Sequence, residues 1–260
     1  MRWLLLLLMP VIGHAEPLVI YGDDSFPPYS YSQRGELVGI YPTLVGAVLA
    51  RMPEFDTRLA PVPYKRGLQQ LQQGQIFALL PPYLRPQERP WMSYSAPLLN
   101  ERTLVFCRTN LGPAPHQWPN DFRQLRLIQN LGFTSVRNRT PSLSGELQVS
   151  EAAGNREAVI ATLSNHADCY INDERAIVWT LDQLHGQGLL ADPQQLRPMA
   201  VVADEAAHLG FNANSRRYPD QAVFIARFNA ELAALKASGQ WQQLSEQALK
   251  AAHWHPSASD

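Results

Sequence analysis

The chain has 260 residues, 45 % of them hydrophobic and 17 % charged, with a formal net charge of −1 at neutral pH. That composition is globular, with enough apolar material for a sizeable core, and the length suits one large domain or two small ones. A charge so near zero argues against nucleic acid or an anionic membrane surface as a partner.

The opening stretch, MRWLLLLLMPVIGHAEP, has a basic start at Arg2, an apolar run over 3–12, and then Gly13, His14 and Ala15. That order is the order of a secretory signal peptide. The run is too short for a membrane-spanning helix, which needs roughly 20 apolar residues. Cleavage is expected after Ala15, leaving Glu16 first in a soluble protein exported to the periplasm. Loss of Arg2 takes the formal charge from −1 to −2.

LVIYGDD (18–24) reads as a buried strand running into a turn, and FPPYSYSQRGEL (26–37) as a loop. YPTLVGAVLARM (41–52) places Leu44, Val45, Val48, Leu49 and Met52 at helical spacing. YKRGLQQLQQGQ (64–75) predicts a short helix with Leu68 and Leu71 inward, stopped at Gly74. IFALLPPYL (76–84) is then a strand ending in prolines. In YLRPQERPWMSYSAPL (83–98), Pro86 and Pro90 forbid an ordinary helix. Strand, helix, helix and strand in this order suit a mostly parallel sheet.

TLVFC (103–107) is a further strand, after which NLGPAPHQWPND (110–121) turns abruptly to Gly, Pro and polar residues, the mark of a boundary. A second unit follows: strand 125–132, helix 156–165, strand 167–173, helix 174–185, and more strand within 197–212. Two helices close the chain. The first, 219–239, carries Ile225, Phe228, Leu232 and Leu235 on one face between Pro219 and Gly239. The second, 240–252, packs Trp241, Leu244 and Ala248. No repeat or low-complexity tract is evident. One excursion and return between two α/β units implies two lobes with a cleft between them, where small ligands bind.

The cysteines, Cys107 and Cys169, have no metal-site spacing. Export permits a disulfide, but the usual burial of free cysteine makes two buried thiols the expectation. His253 and His255 near the end read as solvated, and Asn138-Arg139-Thr140 fits a glycosylation pattern that has meaning only in a eukaryotic secretory route. There is no P-loop, no Gly-x-Ser-x-Gly and no His-Glu-x-x-His.

The order of segments resembles the type-3 family of periplasmic solute-binding proteins, which capture amino acids and related solutes for ABC transporters. DDSFPPYSY with GELVGI is similar to the family's opening, and YKRGLQQLQQG to the helix before its second strand. RPQERPWMSYSAPL is similar to its Thr-x-x-Arg segment, LSNHADCYINDE to its Leu-x-x-Gly-x-Ala-Asp-Ala strand with a following acid, and FNAELAALKASGQWQQL to its closing helix. The resemblance covers nearly all of the chain after the leader. It implies an α/β fold of the two-lobed periplasmic-binding-protein type. Lobe 1 would be about 16–106 plus 206–260, lobe 2 about 109–202, with hinge strands near LVFCR and VVADE. Ligand would sit between lobes that close about the hinge.

Carried over residue by residue, the resemblance makes Arg89 the grip on a ligand carboxylate. A guanidinium forks two donors onto a planar carboxylate. The bland alternative is a loop charge, which is the reading for Arg85. Asp173 matches the acid that accepts a ligand ammonium and also reads as the N-cap of the following helix. Phe26 and Tyr64 match two aromatics that sandwich the ligand, or are core residues. Asp23 matches a contact to a basic side chain, or is a turn residue. Thr134 matches a hydroxyl that helps hold the carboxylate. The chain departs from the family at Pro81 and Pro82, where small polar residues are usual and where proline offers no N–H, and at GQIFA, which lacks the usual acid.

No cofactor or metal is implied. The expected partners are a small-molecule ligand and the membrane permease of an ABC transporter, with the protein a monomer. Two other functions stay open: a periplasmic enzyme resembling the cyclohexadienyl dehydratases, with Asp173 or Glu174 as proton donor, and a soluble ligand sensor.

Overall fold

The computed structural model describes residues 16–111, 117–131 and 146–253. The expected leader 1–15, Thr134, the 138–140 pattern and His255 lie outside the described residues.

Two five-stranded sheets organise the chain. The first is built from β1 (Leu18–Asp23), β5 (Thr57–Val62), β6 (Ala78–Leu80), β7 (Met92–Tyr94) and β13 (Gly210–Asn212), in the order β5-β1-β6-β13-β7. β1 runs parallel to β5 and β6, and β13 runs antiparallel to β6 and β7. The second is built from β8 (Asn100–Arg108), β9 (Arg126–Asn130), β10 (Gln148–Ala152), β11 (Cys169–Asp173) and β12 (Leu196–Ala206), in the order β10-β9-β11-β8-β12. The protein is an α/β fold of two lobes, one around each sheet.

The helices are α1 (Ile40–Leu49), α2 (Tyr64–Gln72), α3 (Asn155–Leu163), α4 (Glu174–Gly186), α5 (Gln221–Ala237) and α6 (Gln240–His253). α1 buries Leu44, Val45, Val48 and Leu49, as their spacing predicts. Its first N–H groups are satisfied by the preceding loop: Ile40 donates to Pro28 O at 3.1 Å and Tyr41 to Tyr29 O at 2.9 Å. α5 turns Phe224 inward with Phe228, Leu232 and Leu235, in place of the expected Ile225. Apolar clusters lie on both faces of each sheet. The largest joins Ile20 and Phe77 to α1, α5 and α6, and two others flank the second sheet.

Four segments differ from expectation. The 26–37 loop belongs to a meander of β2 (Ser25–Phe26), β3 (Ser30–Gln33) and β4 (Glu36–Val38). β5, β7 and β10 are strands that the pattern does not announce. All three are sheet edges, and an edge tolerates the polar residues of β10 and the proline at position 61 in β5.

The cysteines correct the expectation of free thiols. Cys107 on β8 and Cys169 on β11 are direct partners in the antiparallel ladder and form a disulfide. Ladder register brings the two sulfurs together across 62 residues of sequence.

β8 and β12 form the longest ladder, from Arg108↔Leu196 to Asn100↔Ala206. It continues toward the first sheet through Leu98 N to Ala207 O at 2.8 Å, Ala207 N to Leu99 O at 2.9 Å and Ser95 N to Leu209 O at 2.9 Å. Two adjacent extended segments therefore connect the lobes.

Candidate functional site

The first lobe assembles three of the expected residues. Asp23 ends β1, where its Oδ1 accepts from Ser25 N at 3.0 Å and Ser25 Oγ at 3.3 Å. Burial, more than the neighbouring Asp24 charge, pushes its carboxyl up to about 6. Tyr64 opens α2, directly after Pro63. Burial pushes its phenol upward, while the Arg89 guanidinium opposes that rise and the Asp23 and Tyr94 charges add to it. Tyr64 thus has the Arg89, Asp23 and Tyr94 groups within electrostatic reach.

The Arg89 backbone is fixed between its two prolines. Its N–H donates to Arg85 O at 2.8 Å and its carbonyl accepts from Met92 N at 3.0 Å. A held guanidinium loses less entropy on gripping an anion than one on a free loop. Arg85, expected as a plain surface charge, is paired instead: its Nη2 donates to Glu205 Oε2 at 2.8 Å and its guanidinium lies 5.5 Å from the Tyr83 ring centre.

Phe26 lies in β2, its ring stacked on Tyr29 with centroids 5.1 Å apart. Tyr29 leads to a second cluster at the seam between lobes. Asp173 sits at the end of β11 as the N-cap of α4, Oδ1 accepting from Arg175 N at 2.9 Å and Ala176 N at 3.0 Å. Its Oδ2 accepts from the Tyr29 hydroxyl at 3.1 Å. That hydroxyl in turn accepts from Arg175 Nη1 at 3.1 Å, and the same Nη1 lies 3.2 Å from Asn100 O. Burial pushes Asp173 up to about 6, against the opposing cap and Tyr29 bonds. The structure therefore places Asp173 with Tyr29 and Arg175, in contacts separate from those of Arg89.

Glu101 on β8 is the seam's second acid, and the pattern gave it no role. It is 2 % exposed, bonded by the Tyr41 hydroxyl and, at 2.6 Å, by the Tyr83 hydroxyl. Burial and then the Asp173 charge push it up to about 8. Its sequence signals are weak: an acid among Asn100, Arg102 and Thr103 between the apolar pairs of LLNERTLV, and tyrosines recurring after proline or isoleucine in PPYSY, GIYPT and PPYL. Tyr31 and Trp179 also face each other at the seam, ring centres 6.2 Å apart.

Pro81 and Pro82 are buried, and the Pro82 carbonyl already accepts from His208 N at 3.0 Å. Among the described residues no group of three His, Cys, Asp or Glu side chains could hold a metal, and no helix is long and apolar enough to cross a membrane.

The family model described as bacterial extracellular solute-binding proteins, family 3, matches residues 18–251. No curated protein matches the chain. A histidine kinase sensor domain with similarity to periplasmic binding proteins superposes with a TM-score of 0.73 at 15 % identity, covering 90 % of this chain and 96 % of that one. The arginine-, lysine-, histidine-binding protein ArtJ from Geobacillus stearothermophilus gives 0.71 at 15 % identity, covering 93 % and 97 %. The ancestral amino acid-binding protein AncCDT-1, a precursor of cyclohexadienyl dehydratase, gives 0.67 at 15 % identity, covering 90 % and 95 %. At these identities the likeness is one of fold.

Proposed function

The chain belongs to the bacterial extracellular solute-binding proteins, family 3, and on that premise we propose that it captures a small polar solute, an amino acid or a related carboxylate, between its lobes. It delivers the solute, as a monomer in the periplasm, to the permease of an ABC transporter. Tyr64 carries this reading: its buried phenol has the guanidinium of Arg89, on a braced loop, acting on it and the Asp23 charge within reach, which offers an anion grip with a polar and aromatic wall. Phe26 extends the wall, and the resemblance assigns Thr134 to the same carboxylate.

In this reading a 1–15 leader is removed and each lobe is the unit built around one of the two five-stranded sheets. The paired segments through Asn100 and Ala206 serve as the hinge. The role is non-catalytic, since capture and closure need no activated group.

A thermal-shift screen of the chain from Glu16 onward, against amino acids, polyamines, dicarboxylates and prephenate, tests it. A ligand at 100 times its Kd adds about 2.7 kcal/mol, which raises Tm at roughly 2–4 °C per kcal/mol. A hit with no product formed is the expected result. No shift from any class, or turnover of prephenate, overturns the reading.

A further inference from the structure

The seam around Asp173 decides what kind of solute the cleft requires, an inference that rests on the capture reading. A carboxylate offers about four acceptor positions. In Asp173 two are taken on Oδ1 by the Arg175 and Ala176 N–H groups and one on Oδ2 by the Tyr29 hydroxyl. The residue is 2 % exposed. Its counter-charge is internal as well: Arg175 Nη1 donates to the Tyr29 hydroxyl, so guanidinium, phenol and carboxylate form a relay from second lobe to first and back. Tyr29 is fixed in that role, because its ring stacks between Phe26 and Tyr41 and its carbonyl accepts the Tyr41 N–H.

The neighbouring acid does not restore a demand for a cation. Glu101 has both oxygens occupied by tyrosine hydroxyls, and burial pushes its carboxyl up, which disfavours the charge that a cation would seek. A ligand ammonium would have to break the Tyr29 bond and share the acid with Arg175. The Asp23–Tyr64–Arg89 grip is independent of all these contacts.

We infer that the Tyr29 hydroxyl, itself held by the Arg175 guanidinium, occupies the Asp173 oxygen that the helix cap leaves open, so that the cleft selects a small carboxylate for which an α-amino group is not required. The specificity determinant is then the Tyr29–Arg175 pair. Asp173 serves as the cap of α4 and as the joint between lobes.

Calorimetric titration of the chain from Glu16 onward tests this with matched probes: each proteinogenic amino acid beside the acid that lacks its amino group, such as phenylalanine with 3-phenylpropanoate, or glutamate with glutarate. For the pair that binds best, the deaminated acid is expected to bind within about tenfold of the amino acid, or more tightly, a factor worth about 1.4 kcal/mol. A preference for the amino acid above about tenfold overturns the inference while leaving capture standing. Binding of neither member of any pair by the folded chain overturns the carboxylate-capture reading itself. In Tyr29→Phe, which frees Oδ2 but keeps the ring, preference is expected to move toward the amino acid by about fivefold or more. Arg175→Met, which keeps the backbone bond to Asp173 but removes the guanidinium from the Tyr29 hydroxyl, is read by the same ratio if Tyr29→Phe does not fold. An unchanged ratio in the folded variant overturns the assignment to the pair.

Discussion

The Tyr29 hydroxyl donates to Asp173 Oδ2 at 3.1 Å, although the two residues stand 144 positions apart and belong to different lobes. Asp173 also caps α4 through Oδ1. One carboxylate thus ties a helix start, a hinge-side tyrosine and a strand end into a single joint.

Replacing Asp173 with alanine removes the cap and leaves the Tyr29 hydroxyl and Arg175 with a lost partner. A lost cap costs about 1 kcal/mol and an abandoned buried polar group about 1–3 kcal/mol. Urea unfolding of Asp173→Ala is therefore expected to show a loss of about 2–4 kcal/mol. A loss below about 0.5 kcal/mol, the range of a surface change, contradicts the joint.

Glu101 makes stability depend on pH. Its carboxyl is pushed from its usual 4.5 up to about 8 in the fold, so the folded state keeps a proton that the unfolded chain gives up. The stabilisation is full below 4.5 and is lost as pH rises through about 8. Asp173 acts in the same direction, from 3.8 through about 6. The groups facing Glu101 are Tyr29, Tyr41, Tyr83, Asp173 and Arg175. Glu101→Gln keeps the shape without the titration, and unfolding free energies between pH 5 and 8 are expected to fall less steeply than in the parent. Equal slopes would exclude Glu101 as the source.

The Cys107–Cys169 disulfide closes a loop of 62 residues. The chain-entropy estimate for a loop of that length is about 4 kcal/mol. Reduction should move the urea midpoint down by that equivalent, and Cys107→Ala with Cys169→Ala should match the reduced protein. A midpoint indifferent to reductant would show that the ladder holds equally well without the link.

Gly39 sets the entry to α1 with φ +118°, and a Cβ there would meet Pro28 O and Tyr29 O at 2.7 Å. Both carbonyls accept the first helix N–H groups. Gly39→Ala is expected to cost about 2–4 kcal/mol through strain and the displaced bonds, whereas Gly35→Ala, with positive φ but open space, should cost only about 1 kcal/mol. Thermal melts of the two variants compare the effects directly, and equal losses would show that the Pro28–Tyr29 approach carries no weight.

The central strands and the helices were legible because each buries a continuous or periodic apolar set, as in IFALL or in the α1 row from Leu44 to Leu49. β5, β7 and β10 were not, since an edge strand buries one side only and TRLAPV or QVSEA shows no such run. The disulfide depends on ladder register across 62 residues, which local sequence does not encode. At the site, Arg89, Tyr64 and Asp23 stood out through their motif order. The tyrosines around Glu101 and Asp173 did not, because their hydroxyl partners are fixed only when two lobes meet.

Calorimetric titration of the best ligand from the screen, into the parent chain and into Arg89→Ala, tests the capture site most directly. Removing one partner of a buried charge pair is worth about 2–5 kcal/mol, so the variant is expected to bind at least about thirtyfold more weakly while still melting cooperatively as a folded protein. Affinity within error of the parent would remove Arg89 from the site and contradict the account.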